Sequence, residues 1–385
     1  MKLVGRDRKS IPLFGVINLP EMEKVAVEVL KSGRIASGEY VSKFEDCLGQ
    51  LLGQKNVVTT VDMTSAIYLA LHLSGVKAGD EVITTAFACM ATNSPIATIG
   101  AKPIWVDLEE HSACISVADF EASITPNTKA AILYHLAGYP GPARQISDIC
   151  KKRGIKLIED CDNALLAELD GDYVGCFGDF AIYSFYPNRQ INATEGGALV
   201  CKDQNDANRA RKLRRFGINS VTFRLGDGEI NPASDIHEVG WSITLNNLCS
   251  ALGAAQINSV NERLEKTRIN AKYLIESLLN TPGVTILASA PNSLPAYWAL
   301  LIQVEGRDSM LEALKSLGIG CSQLHQRNDA YSGFTGNARN LPNTTRMQNS
   351  VLALPCGWWL SSEEVEFIAS QVKQSLIKIS AIDAN

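Results

Sequence analysis

The sequence lacks two features that mark membrane proteins and cysteine-motif proteins. No stretch approaches the roughly 18 consecutive apolar residues that a membrane-spanning helix needs. The ten cysteines are scattered singly, and without a CxxC pair neither a zinc knuckle nor a dithiol redox motif is indicated. Because the N-terminal stretch MKLVGRDRKSIP is charged and lacks an apolar region, we expect no signal peptide and a reducing, cytoplasmic location.

An excess of positive charge is also missing, since the formal net charge is −5. Basic residues do cluster between positions 209 and 215. The acidic residues that flank this cluster favour a solvated helix face over a binding patch. We therefore expect no nucleic-acid partner and no membrane partner.

The chain does contain a regular alternation of helix-like and strand-like segments. Segments such as NVVTTV, DEVITTAF and IKLIED are nearly continuous apolar runs, whereas YVSKFEDCLGQLLG repeats its apolar residues at helical spacing. Apolar strands separated by helices predict an α/β fold with a mostly parallel central sheet and helices on both faces. A long amphipathic segment after residue 256 predicts a large domain, residues 1–256, and a smaller C-terminal α/β domain, residues 257–385.

Polar residues follow several of these strands at the point where each strand ends. Asp160 follows IKLIE, His135 follows AAILY, and the turn from Asp62 to Ser65 follows NVVTTV. Because ligands bind outside the carboxyl ends of parallel strands, these residues predict one site at that edge of the sheet. No metal-binding pattern accompanies them.

The stretch YSFYPNRQINATEGGALV, residues 183–200, has the form of a cofactor-anchoring loop without a lysine. Arg189 holds the position that invites one, and no lysine occurs between Lys156 and Lys202. A guanidinium stays protonated in proteins, so Arg189 cannot supply the neutral amine that attacks an aldehyde carbon.

Six blocks of the sequence, in the same order, resemble the DegT/DnrJ/EryC1/StrS family of sugar aminotransferases, which have the fold-type-I pyridoxal-phosphate architecture. These blocks are LKSGRIASGEYVSKFEDCLGQLLG, GDEVITTAF, HLAGYPG, IEDCDNAL, GCFGDFAIYSFYPNRQINATEGGALV and LALPCGWWLSSEEVEFI. The resemblance covers nearly the whole chain and implies the fold-type-I fold. It also implies a homodimer in which each subunit completes the other's site.

Four positions carry the residue that the resemblance implies. Asp160 matches the aspartate that pairs with the pyridine nitrogen of the cofactor and makes the ring an electron sink. Ser184 matches a serine that contacts the cofactor's phosphate. Thr64 and Ser65 match a phosphate cup at the start of a helix, where free N–H groups favour an anion.

Other positions depart from the family's pattern. Arg189 stands at the Schiff-base lysine, so no internal aldimine is expected there. Cys89 stands where an aromatic ring stacks on the cofactor, and Asn163 stands at a family glutamine or histidine. Met63 replaces a small glycine, and Ser242 stands where the partner subunit lends an asparagine to the phosphate. These changes predict that no cofactor is bound covalently, and they leave open a noncovalently held pyridoxal or pyridoxamine phosphate.

Each candidate site residue keeps more than one interpretation. Arg189 binds an anionic substrate, bridges its loop to a carboxylate such as Glu195, or supports a noncovalent pyridoxamine cofactor. Asp160 is a cofactor partner, a general base, or a buried carboxylate paired with Arg189 or with a backbone N–H. His135 and His325 are candidate catalytic residues, each with a structural role as the alternative.

Two classes of function follow from these residues. The first is a biosynthetic enzyme of a nucleotide-sugar, polysaccharide or natural-product pathway that binds an anionic small molecule between Arg189, Asp160 and the Thr64–Ser65 cup. Its chemistry is then acid–base elimination, isomerisation or cyclisation. The second is a catalytically inactive pseudo-aminotransferase that binds a ligand or regulates a partner. An ordinary pyridoxal-phosphate aminotransferase is a minor alternative, which requires Lys156 or Lys202 to reach the site.

Overall fold

The computed structural model of this protein describes residues 10–334 and 339–383. Its helices are α1 (Pro20–Ser32), α2 (Tyr40–Leu52), α3 (Met63–Leu73), α4 (Met90–Thr98), α5 (Val117–Ala122), α6 (Ala143–Arg153), α7 (Gln204–Leu213), α8 (Asn247–Ala254), α9 (Val260–Leu278), α10 (Arg307–Ser316), α11 (Pro342–Ser350) and α12 (Ser362–Asp383). Its strands are β1 (Val57–Thr60), β2 (Glu81–Thr85), β3 (Lys102–Val106), β4 (Thr128–Tyr134), β5 (Lys156–Asp160), β6 (Glu168–Leu169), β7 (Asp172–Tyr173), β8 (Phe180–Ser184), β9 (Gly197–Cys201), β10 (Val284–Ile286), β11 (Ser293–Leu294), β12 (Leu300–Val304) and β13 (Val351–Leu354).

A seven-stranded sheet in the order β1–β9–β8–β5–β4–β2–β3 forms the centre of the described chain. The pairs β2–β3, β2–β4, β4–β5 and β5–β8 are parallel. Strand β9 pairs antiparallel with both of its neighbours, β8 and β1. The mostly parallel sheet predicted from the sequence is therefore confirmed.

Both faces of this sheet are covered, as the continuous apolar strands predict. Successive residues of β1 enter different cores, because Val57 packs in the same cluster as Phe44 of α2 and Ile146 of α6. Its neighbour Val58 packs instead with Ile67 of α3. Since side chains alternate along a strand, this division places helices on the two opposite faces.

A second antiparallel sheet, in the order β10–β12–β13, lies in the C-terminal part of the chain. It packs with α9, α10 and α12 in a separate apolar cluster. The predicted boundary at residue 256 falls between α8 and α9. Ile11 belongs to this C-terminal cluster and forms a backbone bridge with Ile319, so the first described residues pack against the small domain.

The parallel strands end at one edge of the central sheet. Tyr134 ends β4, Asp160 ends β5 and Ser184 ends β8, while the turn after β1 leads into α3. The fold thus brings the strand-end residues predicted from the sequence to a common edge. Across the described ranges, no helix is both long and apolar enough to cross a membrane.

Candidate active site

Asp160 lies at the centre of the candidate site and has no exposed surface. One carboxylate oxygen accepts a hydrogen bond from the Thr92 hydroxyl at 2.8 Å, and the other accepts one from the backbone N–H of Asp162 at 3.1 Å. Burial, followed by the charge of Asp162, raises the pKa of Asp160 to about 7. The carboxyl group is therefore close to half-protonated at neutral pH.

Arg189 forms an ion pair with Asp162, which lies two residues after Asp160 in the sequence. Its Nε donates to one carboxylate oxygen of Asp162, and its Nη2 donates to the other at 2.8 Å. The two side chains are only 11% and 1% exposed. Arg189 also donates to Asn188 at 2.5 Å, and its guanidinium lies 4.9 Å from the ring centre of Trp298. The arginine thus forms a buried bidentate ion pair.

This pairing decides between interpretations that the sequence left open. Arg189 does bridge its loop to a carboxylate, but the partner is Asp162 and not Glu195, which is exposed. Asp160 is paired with a backbone N–H and a hydroxyl, and its hydrogen bonds do not include Arg189. The guanidinium of Arg189 is thus paired with a carboxylate of its own chain, and its contact with an anionic substrate stays a prediction.

Asn163, Tyr134 and His325 form the next group around the site. The Asn163 amide donates to the Tyr134 hydroxyl at 2.9 Å and to Asp162 at 3.3 Å. The side-chain oxygen of Asn163 is buried and has no hydrogen-bond partner among the described residues. His325 Nε2 lies 3.4 Å from the Tyr134 hydroxyl. Burial lowers the pKa of His325 to about 4, so its imidazole is neutral at physiological pH.

Cys89 lies immediately before α4, facing the same carboxylates. Burial raises the pKa of its thiol, and the negative charges of Asp162 and Asp160 add to the shift. The thiol is therefore protonated at neutral pH and is a poor nucleophile. It also offers no flat face on which an aromatic cofactor ring can stack.

His135 lies outside this group. It is completely buried; its Nδ1 accepts a hydrogen bond from the backbone N–H of Gly141 at 3.0 Å, and its Nε2 lies 3.2 Å from a carboxylate oxygen of Glu159. Adjacent residues of a strand point to opposite faces, so Glu159 and Asp160 direct these two networks away from each other. The His135 ring therefore points away from the Asp160 carboxylate, although the backbone N–H of His135 donates to the carbonyl oxygen of Asp160 at 3.1 Å. A catalytic role for His135 stays a prediction.

His135, Glu159 and Cys161 come close enough together to hold a metal ion. The lone pairs of the Glu159 carboxylate are already used, however, because its oxygens accept hydrogen bonds from three backbone N–H groups and face His135. The remaining ring nitrogen of His135 accepts from Gly141. The donor set is satisfied within the protein and is not arranged for a metal.

The start of α3, predicted to form a phosphate cup, carries a carboxylate. Asp62 caps this helix by accepting a hydrogen bond from the backbone N–H of Ser65 at 2.7 Å. A Cβ at Gly197 would lie 2.5 Å from the carbonyl oxygen of Asp62, so glycine lets β9 approach this turn closely. Burial and the charge of Asp62 raise the pKa of Glu195. One cup N–H is therefore occupied, and the surroundings are acidic.

The other predicted cofactor contacts are placed differently. Thr64 is half-buried in the first turn of α3, and Ser184 is buried at the end of β8, where its hydroxyl accepts from the N–H of Tyr186 at 3.4 Å. Ser242 forms a backbone bridge with Arg215 and lines a surface groove beside α7. Within one chain, Ser242 is not brought to Asp160; its role across a dimer stays a prediction.

Lys156 and Lys202 lie at the opposite edge of the sheet from Asp160. Lys156 begins β5 and forms an ion pair with Asp179 at 2.7 Å. Lys202 follows β9, and its backbone N–H donates to the carbonyl oxygen of Asp179 at 2.9 Å. Four residues of extended strand, about 13 Å, separate the backbone of Lys156 from Asp160. Neither amine stands at the candidate site.

Some members of the site were missed by the sequence interpretation. Tyr134 ends the strand AAILY, and the rule that identified Asp160 at a strand end also applies to it. Trp298 and Thr92 carried no such signal, because each comes from a distant part of the chain. Asp162 pairs with Arg189, and this pairing depends on the conformation of the loop that carries the arginine.

Comparison with known proteins gives a family match and several similar structures. Residues 18–373 match the model of the DegT/DnrJ/EryC1/StrS aminotransferase family. The chain is 28% identical over 363 residues to the pleiotropic regulatory protein of Geobacillus stearothermophilus. The aligned residues cover 92% of this chain and 94% of that protein.

Two solved structures superpose closely on this fold. AtS13 from Actinomadura melliaura has a TM-score of 0.90 at 28% identity, covering 96% of this chain and 100% of that one. The sugar aminotransferase CalS13 from Micromonospora echinospora has a TM-score of 0.90 at 28% identity, covering 94% and 99%. These similarities confirm the predicted fold-type-I aminotransferase architecture.

Proposed function

Since this chain belongs to the DegT/DnrJ/EryC1/StrS aminotransferase family, we propose that it is a member that binds a sugar-derived small molecule without transaminating it. The scaffold is that of sugar aminotransferases, and the proposal concerns what its altered site does. It takes up the second class of function that the sequence left open, the pseudo-aminotransferase.

The buried Arg189–Asp162 ion pair is the observation that carries this proposal. Arg189 stands where the resemblance expects the Schiff-base lysine, and its guanidinium cannot form an aldimine. It is locked to Asp162, and freeing it would leave a buried carboxylate unpaired, which costs about 3–5 kcal/mol. Asp160 is fully buried with both oxygens hydrogen-bonded. Such a site holds its charged groups in fixed hydrogen-bonded pairs, and Arg189 offers no amine for transamination.

Pyridoxal phosphate does not fit the residues around Asp160. The carboxylate of Asp160 suits a pyridine nitrogen, but neither Lys156 nor Lys202 stands near it in the described chain, and Cys89 gives the ring no stacking surface. A phosphate at the start of α3 would meet the carboxylate of Asp62 on the N–H of Ser65. Like charges so close together oppose binding. We therefore assign no step of the function to this cofactor.

The proposed ligand class comes from the relatives. CalS13 is a sugar aminotransferase, and the relative from Geobacillus stearothermophilus is named a pleiotropic regulatory protein. A homologue that keeps the scaffold and loses the amine is suited to bind a similar sugar-derived molecule and to act through a partner. This regulatory role is part of the proposal.

A cofactor titration tests the proposal directly. Purified protein is titrated with pyridoxal phosphate and, separately, with pyridoxamine phosphate, followed by borohydride reduction and peptide mass spectrometry. CalS13 treated in the same way is the positive control. We expect no saturable change in the absorbance spectrum. We also expect no single modified lysine, because exposed lysines would each react weakly and without saturation. One cofactor trapped per chain, or turnover of a nucleotide-linked keto-sugar with glutamate, would overturn the proposal.

A second candidate function is acid–base chemistry by Asp160. It is favoured by the pKa of about 7, which suits a group that both takes and returns a proton at neutral pH. In this mechanism, a carboxylate oxygen of Asp160 removes a proton from the carbon next to a keto group, after the hydrogen bond from Thr92 opens. The neutral His325 and the Tyr134 hydroxyl, 3.4 Å apart, would then hold the keto oxygen.

Deuterium exchange separates the two candidates. A nucleotide-linked keto-sugar is incubated with the protein in heavy water, and proton NMR follows the signal next to its keto group. Acid–base chemistry predicts exchange that disappears in Asp160→Asn. The primary proposal predicts no exchange beyond that of buffer, together with unchanged ligand affinity in the same variant.

A further inference from the structure

A cavity of about 500 Å³ lies between the start of α9, Leu19 before α1, and the segment 358–361 before α12. Its walls include Arg263, Lys266, Trp358 and Trp359. None of its lining residues belongs to the group around Asp160. A volume of this size is typical of small-molecule sites.

Arg263 lines this cavity as a buried cation without a carboxylate partner. It is only 9% exposed, and among the described residues it forms no ion pair. Its Nη1 donates to the Ser259 hydroxyl at 2.5 Å and its Nη2 donates to the carbonyl oxygen of Gln190 at 2.7 Å. Its Nε is buried and has no hydrogen-bond partner in the described protein. Unpaired donors of a buried cation are costly to leave unsatisfied.

Other arginines buried to a similar degree show what is missing here. Arg189 pairs with Asp162, and Arg214 pairs with Glu45. Burial lowers the pKa of Arg263 to about 10, which reflects the cost of holding this charge away from water. An anion beside the guanidinium would offset that cost.

The remaining walls favour an anion with an apolar or planar part. The guanidinium of Arg263 lies 6.0 Å from the ring centre of Trp358, and the rings of Trp358 and Trp359 meet edge to face at 5.9 Å. Leu19 adds an apolar side chain, Lys266 adds a second positive charge, and Glu262 is the single carboxylate of the lining. The lining is therefore aromatic with an excess of one positive charge.

We propose that this cavity binds a small organic acid whose carboxylate accepts the free N–H groups of Arg263 and whose planar or apolar part packs on Trp358. A guanidinium has five N–H donors in a rigid fork that matches a carboxylate, and two of them are used by Ser259 and Gln190. The cavity is separate from the Arg189–Asp162 ion pair, on which the proposed function rests.

The site is also connected to the loop that carries Arg189. Arg263 holds the backbone of Gln190, and the side chain of Gln190 donates to the carbonyl oxygen of Asn163 at 3.1 Å. An anion that binds the Arg263 guanidinium therefore contacts the side chain that holds Gln190, the residue after Arg189.

Calorimetric titration of the full chain with benzoate tests the proposal, with inorganic phosphate as a second probe. We expect saturable benzoate binding, weaker or no phosphate binding, and at least a tenfold loss of benzoate affinity in Arg263→Gln. Lys272→Gln, which removes a charge from the same helix away from the cavity, is the matched control and should bind as the wild type does.

A second variant guards against misfolding of Arg263→Gln. Trp358→Phe keeps the cation and reduces the aromatic wall, so it should weaken benzoate binding severalfold while circular dichroism stays unchanged. The proposal is wrong if benzoate does not saturate the wild type, or if it binds Arg263→Gln as tightly as the wild type. Tighter binding of phosphate than of benzoate would contradict the organic-acid assignment.

Discussion

Arg189 and Asp162 depend on each other because both charges are almost completely removed from water. Removing one partner of such a pair leaves the other unpaired, whereas removing both is far less costly. We predict that Arg189→Gln lowers the free energy of unfolding by about 3–5 kcal/mol. The double variant Arg189→Gln with Asp162→Asn should recover a large part of that loss. Urea denaturation of the three proteins measures both effects.

The same experiment has a built-in check on the role of Arg189. Arg189→Lys keeps the charge but cannot donate two parallel hydrogen bonds to Asp162. It should therefore fall between the wild type and Arg189→Gln. Equal stability of all variants would mean that the pair does not hold this site closed.

Asp160 is predicted to make stability fall as pH rises. Its pKa is raised to about 7 in the folded protein from an ordinary value of 3.8, so the folded state keeps a proton that the unfolded state releases. Stability from this group is fully present below the unfolded pKa and is lost as pH rises towards the folded one. Asp160→Asn removes this dependence and should be the more stable protein at about pH 8, by on the order of 2–4 kcal/mol.

Thermal unfolding of the two proteins across this pH range measures the difference. The gain in Asp160→Asn should shrink steadily towards about pH 4. A constant difference at every pH would show that Asp160 is ionised in the folded state like an ordinary surface aspartate.

The sequence predicted the positions of the candidate site residues better than it predicted their hydrogen-bond partners. The strand-end rule predicted that Asp160 lies at the carboxyl edge of the sheet, and β5 does end at this residue. His135 also follows a strand, but the chain turns after Tyr134 and sends its ring to Glu159. The choice of Asp162 over Glu195 as the partner of Arg189 depends on loop geometry, which residue order does not encode.

Among the elements, the start of α3 decides whether an anion is accepted. Asp62→Ala removes the hydrogen bond to the N–H of Ser65 and should destabilise the protein by about 1 kcal/mol. Asp62→Asn keeps a cap without its charge, so its loss in stability should be smaller. It should also lower the pKa of Glu195, whose shift depends partly on Asp62. Urea denaturation and carboxyl NMR titration are the measurements.

An unchanged pKa of Glu195 in Asp62→Asn would contradict the acidic description of this helix start. The matched pair of variants separates the two contributions, since only Asp62→Ala loses the hydrogen bond while both lose the charge.

The strands themselves were predictable, but their order and direction were only partly so. Continuous apolar runs such as that of β5 are typical of strands buried on both faces, and they are buried here. Strand β9 follows β8 after the long loop 185–196 and returns antiparallel beside its own previous strand. Apolar pattern alone does not distinguish such a return from a parallel crossover.

On the scale of the whole molecule, the predicted homodimer is open to a direct test. The family resemblance expects two subunits that complete each other's sites, with Ser242 reaching across. Light scattering should therefore give twice the chain mass of 41.7 kDa. A single-chain mass at all concentrations would contradict the shared site, because Ser242 lies away from Asp160 within one chain.

The division into two domains illustrates the limit of a sequence boundary. The predicted break after residue 256 falls in the segment between α8 and α9, yet Val260 and Leu264 at the start of α9 pack in the cluster that covers the large sheet. The contact of Ile11 with Ile319 joins residues about 300 positions apart, and the Trp359 indole donates to the carbonyl oxygen of Pro12 at 3.1 Å. A boundary drawn along the chain does not capture such a contact.

The buried ion pair also constrains which substitutions this protein can accept during evolution. A change at position 189 or 162 alone costs a large share of the roughly 5–15 kcal/mol that holds a typical domain together. Selection should therefore remove lineages in which only one of the two positions has changed. Close orthologues should keep Arg189 and Asp162 together or lose them together. In an alignment of their sequences, positions 189 and 162 should therefore covary.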